Sequence, residues 1–488
     1  MMFLFENSIN MIKYSIYLVP LIIMILLSIS IKEDSNRMML LFKSLKLTII
    51  LILVLLTIEE AIYVKLNGHL IKTELITFVE YILLVVSYLI ISMFEEGVKE
   101  GRKTKITEEA LILMYSSLIG MLISMEAHNL ITLFLSLEIT SICFYILALN
   151  KNSRKVSIEG GLKYYIIGGI ASTIILLGIV SIYKNTGSLM YTDILVIGME
   201  RIGNYQVQMG IALIVLGLII KLGVAPFHGW LIDTYEGTGM LMTFYLTITQ
   251  KIVTIIVLIN LYKNLITYLN IEVINKGLLV LILVTLIVGT VGSLRQQKVI
   301  RFIAYSAIVN SALLILFFVG NNTEELIIYS IYYLINYIIG LAVLINIIIG
   351  VVKTKNGGNI EILSELKNIW LNNKVIGISL IIVLIYLAGL PPFTNFISKI
   401  ILILPLIVEG KIYITMIIFF LTVGIMIYYM NVVKIIIIDK KQEVGVETYK
   451  MTKGGSITNI VGGIIWIIIS QIYLDEIISI IKIIVAIN

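Results

Sequence analysis

Fourteen stretches of predominantly apolar residues, most of them near twenty residues long, follow one another along the chain with short polar segments between them. They run roughly over 13–31, 44–64, 75–94, 109–126, 128–149, 162–183, 207–233, 241–262, 275–294, 300–320, 325–351, 374–399, 412–438 and 457–484. About 20 such residues cross the hydrocarbon core of a bilayer as an α-helix, and a helix satisfies its own backbone hydrogen bonds there. The pattern predicts an all-α membrane protein with about 14 transmembrane helices. Composition agrees, since 59% of the 488 residues are hydrophobic and only 14% are charged, against roughly 45–50% and about 25% in soluble proteins. A water-soluble enzyme, a disordered chain and a nucleic-acid binder are excluded. The first block is followed by Lys32, Glu33 and Asp34 with no small-residue cleavage pattern, so it is expected to be a retained span and not a signal peptide.

Several chemistries are ruled out by residue type. One cysteine, Cys143, cannot form an internal disulfide, a cysteine zinc site or an iron–sulfur cluster. His69, His128 and His228 stand far apart and outside metal-ligand spacings, so no metal is expected in this chain. No Walker or dinucleotide glycine pattern opens a helix after a strand. The glycines Gly160, Gly161, Gly168 and Gly169, followed by Ala171 and Ser172, are expected to let helices approach closely.

Alternating the links between two sides of a membrane sorts the basic residues unevenly. One side collects 22 of them, including Lys99, Arg102, Lys151, Arg154, Arg295, Lys298, Lys353, Lys367 and Lys450. The other collects nine, among them Lys13, Lys65, Lys72, Lys184, Arg201 and Lys411. Short cytoplasmic loops carry the excess of Lys and Arg, so the richer side is expected to face inward and both termini outward.

Five basic residues fall inside apolar blocks: Lys46, Lys221, Lys251, Lys399 and Lys434. Lys46 and Lys434 sit near block ends, where a long side chain can snorkel. A charge at a helix centre costs about 2.5–3.5 kcal/mol on the insertion scale, so Lys221, Lys251 and Lys399 call for a function or an ion-pair partner. Among the acids, Glu138 lies in the middle of its block, whereas Glu80 is nearer a block start and is either interfacial or functional. Proline breaks two blocks that also hold a lysine: Pro226 stands five residues after Lys221, and Pro391-Pro392 stand seven to eight residues before Lys399. Broken backbone at membrane depth needs protein or an aqueous cavity around it. Paired breaks in the two halves of a chain point to inverted repeats around an ion path.

Four stretches carry a family resemblance: LFLSLEITSICFYILAL with EGGLKYYIIGGIAS, KLGVAPFHGWLIDTYEG, GSLRQQKVIRFIAYSAI, and LAGLPPFTNFISK. They resemble, in order, the antiporter-like proton-translocating subunits of complex I. The Asp233, Tyr235, Glu236, Gly237 run favours the N type, called subunit 2 in mitochondria. The resemblance implies two inverted five-helix repeats with broken helices 7 and 12. Residues 1–108 would be an N-terminal three-helix segment, 109–262 a first repeat (helices 4–8), 263–438 a second (helices 9–13), and 439–488 a C-terminal helix. By position it makes Glu138 the acid of the fifth helix, Lys221 and Lys399 the lysines of the broken helices, and Lys251 the central lysine of the eighth. Lys163 matches a lysine at the start of the sixth helix, where snorkelling explains it equally well, and His228 a histidine beside the seventh-helix break. The chain departs from the family pattern at Thr238-Gly239-Met240-Leu241, at Gln250, where proline is common, and at Asn395, where glycine is common.

The resemblance further implies a non-redox subunit that binds no cofactor itself. NAD, FMN, iron–sulfur clusters and quinone would sit in partner subunits of the membrane arm and the hydrophilic NADH-oxidising arm, and Glu138, Lys221, Lys251 and Lys399 would relay protons. A subunit of a multisubunit cation/proton antiporter or membrane-bound hydrogenase would use the same residues, and a membrane scaffold would use them structurally. Few prolines with much Ile, Lys and Tyr suit an AT-rich genome, so the expected location is the mitochondrial inner membrane or a bacterial cytoplasmic membrane.

Overall fold

The structure is a computed structural model that describes residues 18–29, 34–58, 63–65, 68–99, 107–149, 155–200, 205–266, 272–320, 323–353, 360–367, 370, 374–438, 449–451 and 457–486. Both termini, and Lys13, Lys32, Arg102, Lys151, Arg154 and Arg201 among the basic residues sorted above, lie outside the described residues.

Helices and short strands follow in the order α1 (Leu18–Ile29), α2 (Asp34–Ile58), β1 (Tyr63–Lys65), β2 (Leu70–Lys72), α3 (Glu74–Lys99), α4 (Glu108–Glu126), α5 (Leu130–Leu149) and α6 (Lys155–Thr186). Next come α7 (Tyr191–Glu200), α8 (Tyr205–Leu222), α9 (Gly229–Gly237), α10 (Met240–Leu261), α11 (Glu272–Leu294), α12 (Val299–Leu314) and α13 (Thr323–Gly350). The chain closes with β3 (Val351–Lys353), α14 (Lys374–Ala388), α15 (Thr394–Val408), α16 (Ile412–Ile438), β4 (Tyr449–Met451), α17 (Ile457–Ile472) and α18 (Leu474–Ala486). Among the described residues, 11 helices are long and apolar enough to cross a membrane. With α1 and the two-part helices α14/α15 and α17/α18, they account for the fourteen apolar blocks. Two details differ from the sequence expectation. The last block divides at Tyr473, where Asp475 and Glu476 open a new helix, a placement that complements the helix dipole. The short helix α7 falls in what was expected to be a polar link.

Burial shows which helices form the centre. The most apolar stretch of the α10 span is 94% buried and that of α13 is 89%, whereas α16 is only 33% buried. Rim helices present isoleucine and leucine outward, as α5 does with Ile131, Leu135, Ile139, Ile142 and Ile146, at helical spacing along one face. Small residues bring α6 against its neighbours. A Cβ on Gly160 would stand 2.5 Å from Asp233 O, and one on Gly168 would overlap the Tyr145 hydroxyl. Gly169 has open space instead, so close packing explains its neighbours but not that position.

Extended links are paired in five places among the described residues. β1 pairs antiparallel with β2, Tyr63 opposite Lys72, and Leu70 bridges to Ala127 while Asn129 bridges to Met190. β3 pairs with β4, Val352 opposite Lys450, and Lys298 bridges to Ile362. Each pairing between different links joins two that alternation along the chain puts on one side, so the helix parity is consistent between the paired links.

Candidate functional site

The two broken helices end in the same way. At the end of α8 the Gly223 N–H donates to Ile220 O and the Val224 N–H to Ile219 O; at the end of α14 Gly389 donates to Tyr386 O and Leu390 to Ile385 O. This paired pattern is the Schellman motif, which places its C′ residue in the left-handed region. Gly223 (φ +73°) and Gly389 (φ +74°) occupy that position, which is unfavourable for any residue with a Cβ. Each break continues through a cis proline bond, Ala225-Pro226 and Pro391-Pro392, and then a phenylalanine before the chain resumes helix. The local code is thus glycine, two residues, proline and phenylalanine, written twice.

A half-helix that stops inside a membrane exposes carbonyls carrying partial negative charge. Different groups cover them in the two breaks. In the first, Gln250 Nε2 donates to Lys221 O at 2.9 Å and Ser311 Oγ to Leu222 O at 3.3 Å. In the second, Lys399 reaches back from α15 and donates to Ala388 O at 2.9 Å and Leu387 O at 3.3 Å, while Asn395 donates to Tyr386 O at 2.9 Å. Gln250 and Asn395, two of the departures noted in the sequence, therefore cap the broken ends. The third departure, the loop before α10, is closed by a Thr238–Thr243 hydroxyl contact at 2.6 Å.

Lys221 lies in the last turn of α8 and points to α5. Its ammonium donates to Ser141 Oγ at 2.8 Å and is 3.6 Å from Glu138 Oε1, and Glu138 also accepts from Ser172 on α6. Lys221 is buried, but Glu138 keeps 28% of its side-chain exposure and lines an open groove of about 780 Å³ with Phe134, Tyr145, Tyr165 and Ser172. A small cavity of about 10 Å³ also lies beside Lys221, bounded by Ser141, Tyr164, Trp230 and Gln250. It has room for about one water molecule.

Lys251 is buried on α10 and donates to Ser311 Oγ at 2.6 Å and to Ala307 O on α12. Because Ser311 also donates to Leu222 O, the ammonium is joined through one hydroxyl to the α8 end. On its other side Lys251 lies 5.5 Å from the centre of the Tyr337 ring, within range of a cation–π contact. From there to Lys399 the interior holds Tyr333, Tyr337, Tyr386, Tyr428 and Tyr429, all buried. Tyr333 donates to Asn310, Tyr429 meets Ser306 at 2.7 Å, and Tyr386 donates to Asn336 Oδ1 at 2.9 Å.

Lys163 and His228 stand at the edges of this row. Lys163 is 44% exposed and pairs with Glu159 at 2.6 Å and Asp233 at 2.7 Å, so it closes the surface end of the α6–α9 contact. His228 is half-buried at the start of α9 and caps no backbone N–H. Of the block-end lysines, Lys434 is exposed, while Lys46 pairs with Glu95 and lies over Tyr88.

The membrane-spanning family model described as NADH:quinone oxidoreductase/Mrp antiporter matches residues 127–426. The chain belongs to that family. A relative described as NADH-ubiquinone oxidoreductase chain 2, from Dictyostelium citrinum, is 69% identical over 492 aligned residues, covering 100% of both chains. The fold of this antiporter family member is also found in solved assemblies. A chain of respiratory complex I from Thermus thermophilus superposes with TM-score 0.76 at 17% identity over 95% of this chain and 98% of that one. A chain of an archaeal membrane-bound sulfane sulfur reductase does so with TM-score 0.83 at 21% identity over 98% and 97%. The matched region contains both broken helices and every lysine of the row.

Sequence reasoning missed the tyrosine cluster, because tyrosine counts as apolar bulk in a hydropathy window. Tyr333, Asn336 and Tyr337 at spacings of three and four inside one apolar block are the signal that a helix-face reading would have caught. It also missed Lys72, Glu80 and Glu126 as a group. The sequence sorts Lys72 onto the basic-poor side and makes Glu80 either interfacial or functional; in the structure Lys72 and Glu80 are both buried and paired at 2.9 Å.

Proposed function

We propose that this chain is the antiporter-like, proton-translocating membrane subunit of a complex I. It would couple NADH:quinone electron transfer, carried out by cofactors in other subunits, to proton movement through Glu138, Lys221, Lys251 and Lys399. The observation that carries the reading is the duplicated break. Two half-helix ends each have a buried lysine, and a third buried lysine is joined through Ser311 to the first of those ends. Residues 109–262 and 263–438 then form two inverted repeats. The 69% identical relative supports the assignment to complex I and to the mitochondrial inner membrane; the outward orientation of both termini rests on the distribution of basic residues along the sequence.

In the mechanism, an ammonium in a low-dielectric interior is stable only while an anion or oriented dipoles surround it. Lys221 keeps its proton while Glu138 is charged and close. When the pair separates, Ser141 alone remains, and the proton leaves toward Lys251. Lys251 is held by neutral acceptors and by the Tyr337 face, so it can receive and release a proton without breaking an ion pair. The tyrosine and asparagine side chains extend the polar route to Lys399. There the charge rests on the α14 carbonyls until it is passed to one aqueous side. Lys163, with Asp233, would stand at one mouth and His228 beside the first break.

The test is Lys251→Met in the assembled complex, reading proton transport and NADH oxidation together. Loss of transport with assembly retained is expected; transport at the wild-type ratio to NADH oxidised overturns the relay. A second reading, a cation/proton antiporter module, is favoured by the family description, which names an antiporter beside the oxidoreductase. Sodium-dependent transport without NADH oxidation would select it.

A further inference from the structure

The second break is held from outside by α17, a helix with no part in the lysine row. Gln471, in the last turn of α17, donates from Nε2 to Pro392 O at 2.8 Å. Its neighbour Ser470 is buried and meets Thr394 Oγ1 at 3.2 Å. Thr394 donates onward to Asn336 Oδ1 at 3.3 Å, the atom that also accepts the Tyr386 hydroxyl at 2.9 Å. Two adjacent residues of α17 therefore touch the break at its backbone and at the polar route beside it. The turn that carries them is otherwise apolar, with Ile465, Ile468, Ile469 and Ile472 exposed and Ile467 buried. Gln471 itself faces outward, so filling the core does not call for it. A polar side chain away from water is unfavourable unless it is hydrogen-bonded, and between membrane helices such bonds act as attachments.

The first break explains why a donor is needed here. There the Ala225 N–H donates to Thr285 Oγ1 of α11 at 3.0 Å. Ala225 and Pro391 hold the same position in the duplicated glycine-to-proline code, but Pro391 has no N–H to give. The outside contact at the second break falls instead on the next carbonyl, Pro392 O, and the Gln471 amide supplies the proton. In each half of the chain the contact comes from a helix that follows that half, α11 after residues 109–262 and α17 after 263–438. The attachment also has a far end. Backbone bonds from Tyr473 N–H to Ile469 O and from Ile477 N–H to Tyr473 O, both 3.0 Å, carry the helix through the α17–α18 joint. Lys263, just beyond α10, then donates to Val485 O of α18 at 3.1 Å. Residues 471 to 485 span about 21 Å of helix, so the C-terminal pair runs from the second break to the end of the helix that carries Lys251.

We propose that Ser470 and Gln471 are positioning residues of the second break: through Thr394 and Pro392 they fix the start of α15, and with it the place of Lys399 against the α14 carbonyls. Thr394 is the first residue of α15 and Lys399 lies in the second turn of the same short helix, so a displacement of its start carries the ammonium with it. Lys399 donates to Ala388 O and Leu387 O across the break that Gln471 holds. A part for these residues in translocation rests on the proposed function; their ordering of the break does not.

The experiment compares wild type with two variants in the assembled complex. Gln471→Leu keeps the bulk and removes the amide; Gln471→Glu presents a carboxyl group that can donate to Pro392 O only when neutral. Hydrogen exchange of the Gly389, Leu390 and Phe393 amides, whose acceptors lie within the break, is read at one pH beside proton transport per NADH oxidised. Loss of one hydrogen bond is expected to raise that exchange about 2- to 10-fold in Gln471→Leu, with a fall of similar size in transport. In Gln471→Glu, transport relative to wild type is expected to rise as pH falls. Tyr332, Tyr386, Lys399, Tyr473, Asp475 and Glu476, the ionisable groups on the surrounding helices, are common to both and cancel in the ratio. Wild-type exchange in Gln471→Leu overturns the proposal, and so does raised exchange with transport at the wild-type ratio, which would make the contact merely structural. If Gln471→Leu fails to assemble, Gln471→Glu decides, and a ratio that stays low at every pH overturns the proposal. Lost transport in Lys251→Met with unchanged exchange in Gln471→Leu would remove these positioning residues and leave the relay standing. Normal transport in Lys251→Met with raised exchange in Gln471→Leu would remove the relay and leave the ordering of the break.

Discussion

The duplicated break offers a perturbation with its own control. Gly389→Ala and Gly223→Ala place the same methyl group at the same position of the same motif, φ +74° and +73°. The left-handed conformation costs an alanine about 1–2 kcal/mol, and that cost is common to both. What the methyl meets is different. At Gly223 it would stand 2.5 Å from Leu231 Cδ1, the end of a side chain that can rotate away, whereas at Gly389 it would stand 2.7 Å from Lys399 Nζ. Restoring an ordinary separation of ~3.5 Å moves that ammonium by about 0.8 Å. Directed along these contacts, such a shift takes the 2.9 Å bond past the usual ~2.7–3.2 Å hydrogen-bond range and lengthens the 3.3 Å one further. A hydrogen bond to a charged group is worth about 1.5–3 kcal/mol, which is roughly a 10- to 100-fold change in the population of correctly placed Lys399. The assay is proton transport per NADH oxidised in the assembled complex, measured beside the amount of complex assembled. Gly389→Ala is expected to lose about an order of magnitude more transport than Gly223→Ala. Equal transport in the two variants would refute the argument that Lys399 must rest on the α14 carbonyls.

Two further predictions follow from buried polar groups. The Tyr337 hydroxyl has no hydrogen-bond partner among the described residues, so Tyr337→Phe removes a polar atom whose desolvation costs about 1–3 kcal/mol. Assembly and thermal stability should hold or improve while transport falls; loss of stability with unchanged transport would show a purely structural tyrosine. In the α4–α5 link, burial holds the His128 imidazole below its ordinary value. Its folded form is therefore favoured when neutral, so its contribution to the link is complete above about pH 6.5 and is lost as pH falls through the lowered folded value. The protection of the link amides against hydrogen exchange, taken relative to the intrinsic rate at each pH, should fall on acidification in wild type and less so in His128→Asn, and an equal fall in both would remove the histidine from the account.

How much of this was visible in the chain depends on how local each signal is. Lys221, Lys251, Lys399 and Glu138 stand out because each is a lone charge in a run of apolar residues, and Pro226 and Pro391-Pro392 mark the breaks because proline removes a helix hydrogen bond. Gln250 and Asn395 were visible as departures, but the carbonyls they cap belong to residues 29 and nine positions away. No window of sequence connects them. Lys72 shows the limit most clearly. It stands in a short hairpin between helices, with Thr73 and Glu74 following it, which locally means solvent, and only the packing of α3, α4 and the α4–α5 link over that hairpin removes the water.

The two breaks share backbone geometry but use their lysines in opposite ways, and that asymmetry gives the row a direction. Lys221 belongs to the half-helix whose end it occupies, and its own carbonyl is capped by neutral Gln250, so the α8 end stays satisfied whether or not Lys221 is charged. Lys399 belongs to the following half-helix and is itself the cap of α14. When Lys399 gives up its proton, two carbonyls at the negative end of a helix dipole lose their cation, and α14 and α15 have less reason to stay in register. Proton loss at the first break is thus electrostatically separable from the backbone, while proton loss at the second is coupled to it. In the proposed relay, a conformational step therefore belongs at the Lys399 end, and Lys221 can change partners within a fixed frame.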